Sequence, residues 1–302
     1  MFDNRIEGTD ESETLQGTRR SDDLLGMGGS DTLTGGRGKD RLFGGEGSDE
    51  LNGGPGRDLL LASEGRESYD GGPGRDTLSY GNAPEGIVLQ GNLPGGYGFG
   101  WAARHTYERI EKIIGSRFGD TITGSSDDEA IFGGRGGDFL SGWRGENLLK
   151  GQAGDDTLNG GFDDDRVYGN RGNDQVNGGS GNDRLWGGKG RDRLDGDAGD
   201  DVLFGGRGRD DLIGGEGSNT LVGGAGADTF TFFGEWERTT IRDFRSGQND
   251  RIDLFDVAES YDAVFDAART VNGDTVIRLD AGAIVIEDLV KADLTEDMFF
   301  IV

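Results

Sequence analysis

A nine-residue frame, G-G-x-G-x-D-x-U-x with U apolar, runs through most of this 302-residue chain and narrows its possible folds more than any other feature. The frame holds register from Gly8 to Ser79 and again from Gly115 to Thr231, giving eight and thirteen units. Position eight is apolar in all 21 units, from Leu15 and Leu24 to Leu221 and Phe230. Position six is Asp in 16 units, Glu at Glu13, Glu67 and Glu129, and Asn at Asn147 and Asn219. A flexible glycine-rich linker has no reason to keep one apolar position in phase. A fixed short period instead points to a solenoid of stacked units.

Each part of the frame has a physical role. Glycine permits positive φ and a tight loop, and the x-U-x triplet is a short strand with one inward side chain. Two loops and two strands make one 18-residue turn of a flattened coil, so each unit stacks on the unit two positions later. One carboxylate per loop offers a hard oxygen donor, and calcium takes 6–8 oxygens from carboxylates and carbonyls. The candidate ligands are Asp22, Asp31, Asp40, Asp49, Asp58 and Asp76 in the first block. In the second they are Asp120, Asp138, Asp156, Asp165, Asp174, Asp183, Asp192, Asp201, Asp210 and Asp228. A stack of n units offers n − 2 same-side sites, six in the first block and eleven in the second, so 17 calcium ions is the ceiling.

Composition fits this requirement. The chain carries 61 glycines, only 32% hydrophobic residues and a net charge of −27, a profile that ordinarily means disorder. Seventeen divalent ions would more than offset that charge. The metal-free chain is therefore expected to be disordered by self-repulsion, with calcium supplying the folding free energy. The acidity excludes nucleic acid as a partner, and the absence of cysteine excludes disulfides and thiolate metal sites. No apolar run is long enough to span a bilayer, which disfavours membrane insertion. The N-terminal text MFDNRIEGTDESE has neither a basic n-region nor an apolar h-region, so no cleaved signal peptide is expected.

The 18-residue turn divides the frame into two sides. In the second block one side reads Asp120, Asp138, Asp156, Asp174, Asp192, Asp210 and Asp228 without a break. The other reads Glu129, Asn147, Asp165, Asp183, Asp201 and Asn219, strong only in its middle. In the first block Asp22, Asp40, Asp58 and Asp76 are complete, opposite Glu13, Asp31, Asp49 and Glu67. Tight sites are expected on the complete sides, and weak or missing ones near Asn147, Glu129 and Glu67.

Outward positions sort in the same way. Position nine gives Phe132, Lys150, Tyr168, Trp186, Phe204 and Val222 on one side of the second block. The opposite side is mostly polar: Thr123, Ser141, Asn159, Asn177, Asp195 and Ile213. Tyr168, Trp186 and Phe204 thus form an aromatic stripe, suited to packing, to dimer contact or to sugar stacking. Position three supplies a basic row, Arg117, Arg135, Arg171, Lys189 and Arg207, along one edge of an acidic chain. That row is either a solvated face or a docking track for an acidic polysaccharide, guanidinium meeting carboxylate.

These repeats resemble the RTX (repeats-in-toxin) nonapeptide of hemolysin-type calcium-binding proteins. The resemblance implies an all-β fold, two parallel β-roll solenoids joined by a short insert, with calcium between successive same-side loops. A β-rich C-terminal cap containing one helix completes it. The divisions are 1–79 for the first roll, 80–114 for a connecting and capping insert, 115–231 for the second roll and 232–302 for the cap. Within the insert, short strands are expected near Ile87–Gln90 and Tyr97–Trp101. Its Glu108-Arg109-Ile110, Ile114-Gly115-Ser116 and Gly119–Gly124 text is similar to the connector that precedes many RTX blocks. The C-terminal segment is similar to that of serralysin-type proteases, with a helix expected over Asp256–Arg269 and a hairpin around Ala281-Gly282. Its acid-then-apolar ending, Glu296 to Val302, is similar to an uncleaved type I secretion signal. The resemblance therefore implies secretion through type I machinery and an extracellular or cell-surface location.

No enzyme is expected. His105 is the only histidine, which rules out an H-E-x-x-H zinc site and most histidine-dependent triads. There is no G-x-S-x-G elbow or phosphate loop, and almost every acid has a place in the frame. The repeats begin at Gly8, without the protease, lipase, epimerase or toxin domain found ahead of them in other RTX proteins. The expected role is structural or interactional, as a calcium-folded protein with a cell-surface partner. The alternative is a free-standing module for acidic, alginate-type polysaccharide, similar to the repeat modules of mannuronan epimerases.

Overall fold

Position eight sets the interior. In the computed structural model, which describes residues 2, 4–91 and 96–302, every position-eight side chain except Leu15 is buried. In the unit Met1–Lys150 these residues pair in register across parallel strands, Leu24 with Leu42, Leu42 with Leu60, and Leu60 with Leu78. The unit Gly151–Val302 repeats the pattern, Leu185 against Leu203 and Leu203 against Leu221. Partners are eighteen residues apart, the flattened coil expected of a nine-residue frame. Complete burial of each such side chain contributes roughly 1.5–3 kcal/mol, so a narrow aliphatic core serves a glycine-rich chain.

Each unit consists of two parallel sheets formed by alternate nonapeptides. In the second unit one sheet contains Arg166–Arg171, Arg184–Lys189, Val202–Arg207 and Ser218–Ala225. The facing sheet contains Thr157–Phe162, Gln175–Ser180, Arg193–Ala198, Asp211–Ile213 and Thr229–Phe233. Several of these strands are longer than the expected triplet, because the glycine pair continues the ladder before the chain turns.

The two glycines of that pair are there for different reasons. Gly206, at position two, has φ +111°, in the left-handed region that other residues rarely enter. Gly205, at position one, has no such φ. A methyl group built on it would lie 2.7 Å from both Asp210 Oδ2 and the Gly223 carbonyl oxygen. Position two needs the conformation and position one needs the space.

The insert continues the stack of the first unit. Thr106–Glu108 pairs in parallel with Ser68–Asp70, and Lys112–Ile114 lies between Thr77–Ser79 and Ala130–Phe132. Ile87–Gln90 and Tyr97–Gly100 form the antiparallel pair, close to the expected strands, and Ile87–Gln90 leads in parallel into Thr121–Thr123. The chain thus adds strands to both sheets where the glycine frame lapses.

At the C-terminal end Arg238–Ile241, Arg251–Phe255 and Phe299–Ile301 extend the sheets of the second unit in parallel. Asp274–Leu279 and Gly282–Ile286 form the expected hairpin. The helix occupies Tyr261–Ala267, shorter than the 256–269 expected. Ser260 caps its start by accepting from the Ala263 amide at 3.2 Å, and Ala268 already belongs to a strand. No helix among the described residues is long and apolar enough to cross a membrane.

Candidate metal centre

The loops stack as two columns in each unit, and position six lies within them. Every Asp, Glu or Asn at that position is buried except Glu13. The Asp22 amide donates to Asp40 Oδ1 at 2.7 Å, Asp40 to Asp58 at 2.8 Å and Asp58 to Asp76 at 2.7 Å. In the second unit Asp174 donates to Asp192 at 2.9 Å, Asp192 to Asp210 at 3.0 Å and Asp210 to Asp228 at 3.0 Å. The opposite column repeats this from Asp165 to Asp183 at 2.7 Å and from Asp183 to Asp201 at 2.8 Å. Each carboxylate therefore ties its own turn to the turn before.

Only one oxygen is used in this way. Oδ2 of Asp31, Asp40, Asp49, Asp58, Asp76, Asp174, Asp183, Asp192, Asp201, Asp210 and Asp228 is buried without a donor, as is Oδ1 of Asp22. A buried carboxylate oxygen without a partner is strongly unfavourable. The repetition of the same orphan turn after turn points to a common ligand. A loop carbonyl lies beside the orphan: a methyl built on Gly35 would meet Asp40 Oδ2 at 2.7 Å and the Gly53 carbonyl at 2.6 Å, and one on Gly53 would meet Asp58 Oδ2 and the Gly71 carbonyl at 2.7 Å each. No group of three or more His, Asp or Glu side chains among the described residues converges as a metal cluster. Backbone carbonyls must complete any coordination sphere, which suits calcium and not zinc.

The electrostatics agree. Burial pushes Asp58 up to about 7, Asp174 and Asp210 to about 7 and Asp201 to about 8, and neighbouring carboxylates add to the shift against the opposing amide hydrogen bonds. Asp183, Asp192, Asp228 and Asp76 rise to about 6, Glu67 to about 8 and Glu129 to about 7, again chiefly by burial. A divalent cation at the orphan oxygens would reverse this by favouring the charged form.

Other position-six residues are satisfied differently. Asp120 receives the Ser116 amide at 2.6 Å, the Ser116 hydroxyl at 2.8 Å and the Ile87 amide at 2.8 Å, so both of its oxygens have donors. Asn219 accepts from the Asp201 amide at 2.9 Å, and its Nδ2 donates to the carbonyls of Gly215 at 3.1 Å and Glu216 at 3.3 Å. Asn147 likewise donates to Arg144 and Gly145 carbonyls at 3.1 and 2.8 Å. The asparagine amide thus satisfies loop carbonyls from within the chain.

Three members of the columns fall outside the nonapeptide frame. Glu111 Oε2 accepts from the Asp76 amide at 2.6 Å, so Glu111 occupies the next level of that column. Asp250 Oδ1 accepts from the Asp228 amide at 3.0 Å, extending the second unit by one turn. His105 precedes the strand paired with Ser68–Asp70 and stands in register with Glu67. It is fully buried, stacked on Tyr80 with ring centroids 5.8 Å apart and edged by Tyr69 and Trp101. Burial lowers its pKa to about 4, so this imidazole is neutral at physiological pH.

The partner-binding candidates are on the outside. Arg171, Lys189 and Arg207 are exposed and paired in register, and Arg117 and Arg135 are exposed in the first unit. Arg117 lies over the Phe118 ring at 5.1 Å. Tyr168 and Trp186 stack at 4.2 Å with 2° between their planes, and Trp186 and Phe204 at 5.6 Å with 10°. Both faces of Trp186 are thus covered by its neighbours, while Tyr168 and Phe204 each give one face to the stack. In the first unit Phe132 lies beneath the ammonium groups of Lys112 at 4.3 Å and Lys150 at 5.5 Å.

Among solved structures, the crystal structure of extracellular lipase LipA from Serratia marcescens matches 99% of this chain at 16% identity with a TM-score of 0.28. The chain spans 42% of that lipase. No curated protein matches it. The family model of the RTX calcium-binding nonapeptide repeat matches residues 7–42, 43–78, 105–140, 144–176, 177–212 and 204–231. Buried carboxylate columns, loop carbonyls beside their orphan oxygens and a model match over well over half its residues place this chain in the RTX calcium-binding nonapeptide repeat family.

Proposed function

We propose that this chain is a calcium-folded β-roll with a structural or interaction role outside the cell, exported unfolded by type I machinery and ordered by extracellular calcium. The observation that carries the reading is the run of buried aspartates whose second oxygen lacks a donor. A chain built so has little reason to fold where calcium is scarce and every reason to fold where it is abundant. No reaction is part of the reading.

The test is a calcium titration followed by circular dichroism, with magnesium as control. Magnesium demands a small, near-octahedral site and dehydrates reluctantly. Millimolar calcium should convert a largely disordered chain to β-structure, and magnesium should not. A spectrum indifferent to calcium would sink the reading. The alternative role, acidic-polysaccharide binding along Arg171, Lys189 and Arg207, draws support from their exposure and strict register. Changing all three to Glu should abolish retention on a polyuronate if that row is the track.

A further inference from the structure

Within the unit Gly151–Val302 the two sheets have very different outer faces. One carries Thr157, Gln175 and Arg193 in one outward row and Asn159, Asn177 and Asp195 in the next, so it is polar throughout. The other carries the rings of Tyr168, Trp186 and Phe204 in register, continued by Val222. Three strand spacings of ~4.8 Å make that row about 14 Å long. Tyr168 and Trp186 lie parallel at 4.2 Å across neighbouring strands, so the rings stand upright from the sheet and turn their edges outward.

Cations flank the rings on both sides. Strand register sets Arg166 beside Arg184 on the N-terminal side of the row, and Arg171, Lys189 and Arg207 in line on the C-terminal side. All five are exposed. Among the described residues none of the five has a carboxylate within ion-pair distance, although Arg193, Arg242 and Arg251 of the same unit pair with Asp211, Glu287 and Asp253. Five unpaired cations on one face stand out in a chain of net charge −27. Aromatic rings bordered by basic side chains suit the headgroup region of a bilayer, where rings sit at the boundary and cations reach phosphate.

We propose that this sheet face docks on an anionic lipid bilayer, with the ring edges at the headgroup boundary and the five cations on lipid phosphates. The contact is peripheral and needs no membrane-crossing segment. Charge selects the occupant. A second copy docked by the same face sets cation against cation. Trp186 has both faces covered and offers none to a sugar ring, so a polysaccharide meets the charges without the ring stack. An anionic bilayer uses both. Arg171, Lys189 and Arg207 are shared with the polysaccharide reading, whereas Arg166, Arg184 and the rings are not. Docking rests on the calcium-folded state alone, and circular dichroism reports on that state separately.

The experiment is co-sedimentation of the full chain, in millimolar calcium, with vesicles of mixed phosphatidylglycerol and phosphatidylcholine or of phosphatidylcholine alone. The mixed vesicles should bind about tenfold more tightly or better, and added sodium chloride should weaken them. Each cation removed should cost about fivefold. Arg166→Gln together with Arg184→Gln should therefore lose about 25-fold, and all five changes to Gln more than about a hundredfold. Changing Tyr168, Trp186 and Phe204 to Asn should also weaken binding about tenfold; position nine already accepts asparagine at Asn159 and Asn177. Brominated lipid should quench tryptophan fluorescence, and less so in Trp186→Phe. The exposed arginine pair keeps the test valid if the ring variant folds poorly. Equal binding to both vesicle types overturns the proposal. So does indifference to Arg166 and Arg184, the result expected if calcium merely bridges the acidic columns to lipid. Polyuronate binding or self-association that depends on the five cations, without vesicle binding, overturns it as well.

Discussion

Gly205→Ala separates the metal cradle from every other effect of glycine. Gly205 has no left-handed φ, so alanine fits its backbone. By conformational entropy alone the change should stabilise by about 0.4–1 kcal/mol. The added methyl, however, would sit 2.7 Å from Asp210 Oδ2 and 2.7 Å from the Gly223 carbonyl, closer than a carbon atom can approach. The resulting overpacking costs about 1–3 kcal/mol at any calcium concentration. Loss of one bound ion has a different signature. Stability then rises less steeply with calcium, by about 1.4 kcal/mol for each tenfold increase. Denaturant unfolding across a calcium series measures both quantities, the offset giving the steric clash and the slope the number of ions. Gly247→Ala is the control, since nothing lies within 4 Å of the added methyl and its φ is ordinary. It should show the entropic gain and the wild-type slope. A Gly205→Ala line parallel to wild type would refute the assignment of a cation to the space beside Asp210.

Two further outcomes follow from the same columns. Asn219→Asp removes the amide that bonds the Gly215 and Glu216 carbonyls and restores a carboxylate, so calorimetric stoichiometry should rise by one calcium. An unchanged count would mean that the asparagine does not stand in for an ion. In calcium-free buffer, burial raises the folded-state pKa of these acids above the ordinary 3.8 or 4.5, to about 6–8. Groups raised in this way stabilise the fold fully below their unfolded pKa, and that contribution is lost as pH rises through the folded values. Calcium-free β-structure should therefore be greatest near pH 4 and fade by pH 8. Dichroism with light scattering should be used, because the sequence pI is about 4.3. β-Content that grows with pH in the absence of calcium would contradict this.

The frame made the core and most of the columns legible, because Leu185 and Asp192 each do one job that one residue type performs. The rest was hidden where spacing changed. Asp250 lies 22 residues after Asp228, not 18, because a 3-10 turn at Ser246–Gln248 lengthens the loop. Its signal was Asp250-x-Ile252-x, an acid two places before a buried aliphatic residue, without the glycines. Glu111 lies 35 residues after Asp76 because the antiparallel hairpin intervenes. The same short signal, Glu111-x-Ile113-x, marked it. Sequence acidity also made Asp120 look equal to its column mates. The Ser116 and Ile87 donors that satisfy it come from a serine in a glycine position and from the insert.

The direction of the hydrogen bonds bears on how such a roll fills. Each position-six amide reaches forward to the next carboxylate, so an ion that fixes one loop also fixes the acceptor for the loop before it. Neighbouring sites are coupled, and the coupling extends only as far as the column is unbroken. In the second unit one column runs from Asp156 to Asp250, while the other closes at Asn219 after Asp165, Asp183 and Asp201. In the first, Asp22 to Glu111 is continuous, whereas the opposite column meets His105 after Glu67. The neutral, aromatic-caged imidazole supplies no carboxylate at that level, so coupling stops there. The long columns therefore act as the cooperative elements of the roll. On the proposed filling by calcium, asparagine and histidine would hold their own levels without an ion and so set the boundaries between one run of calcium sites and the next.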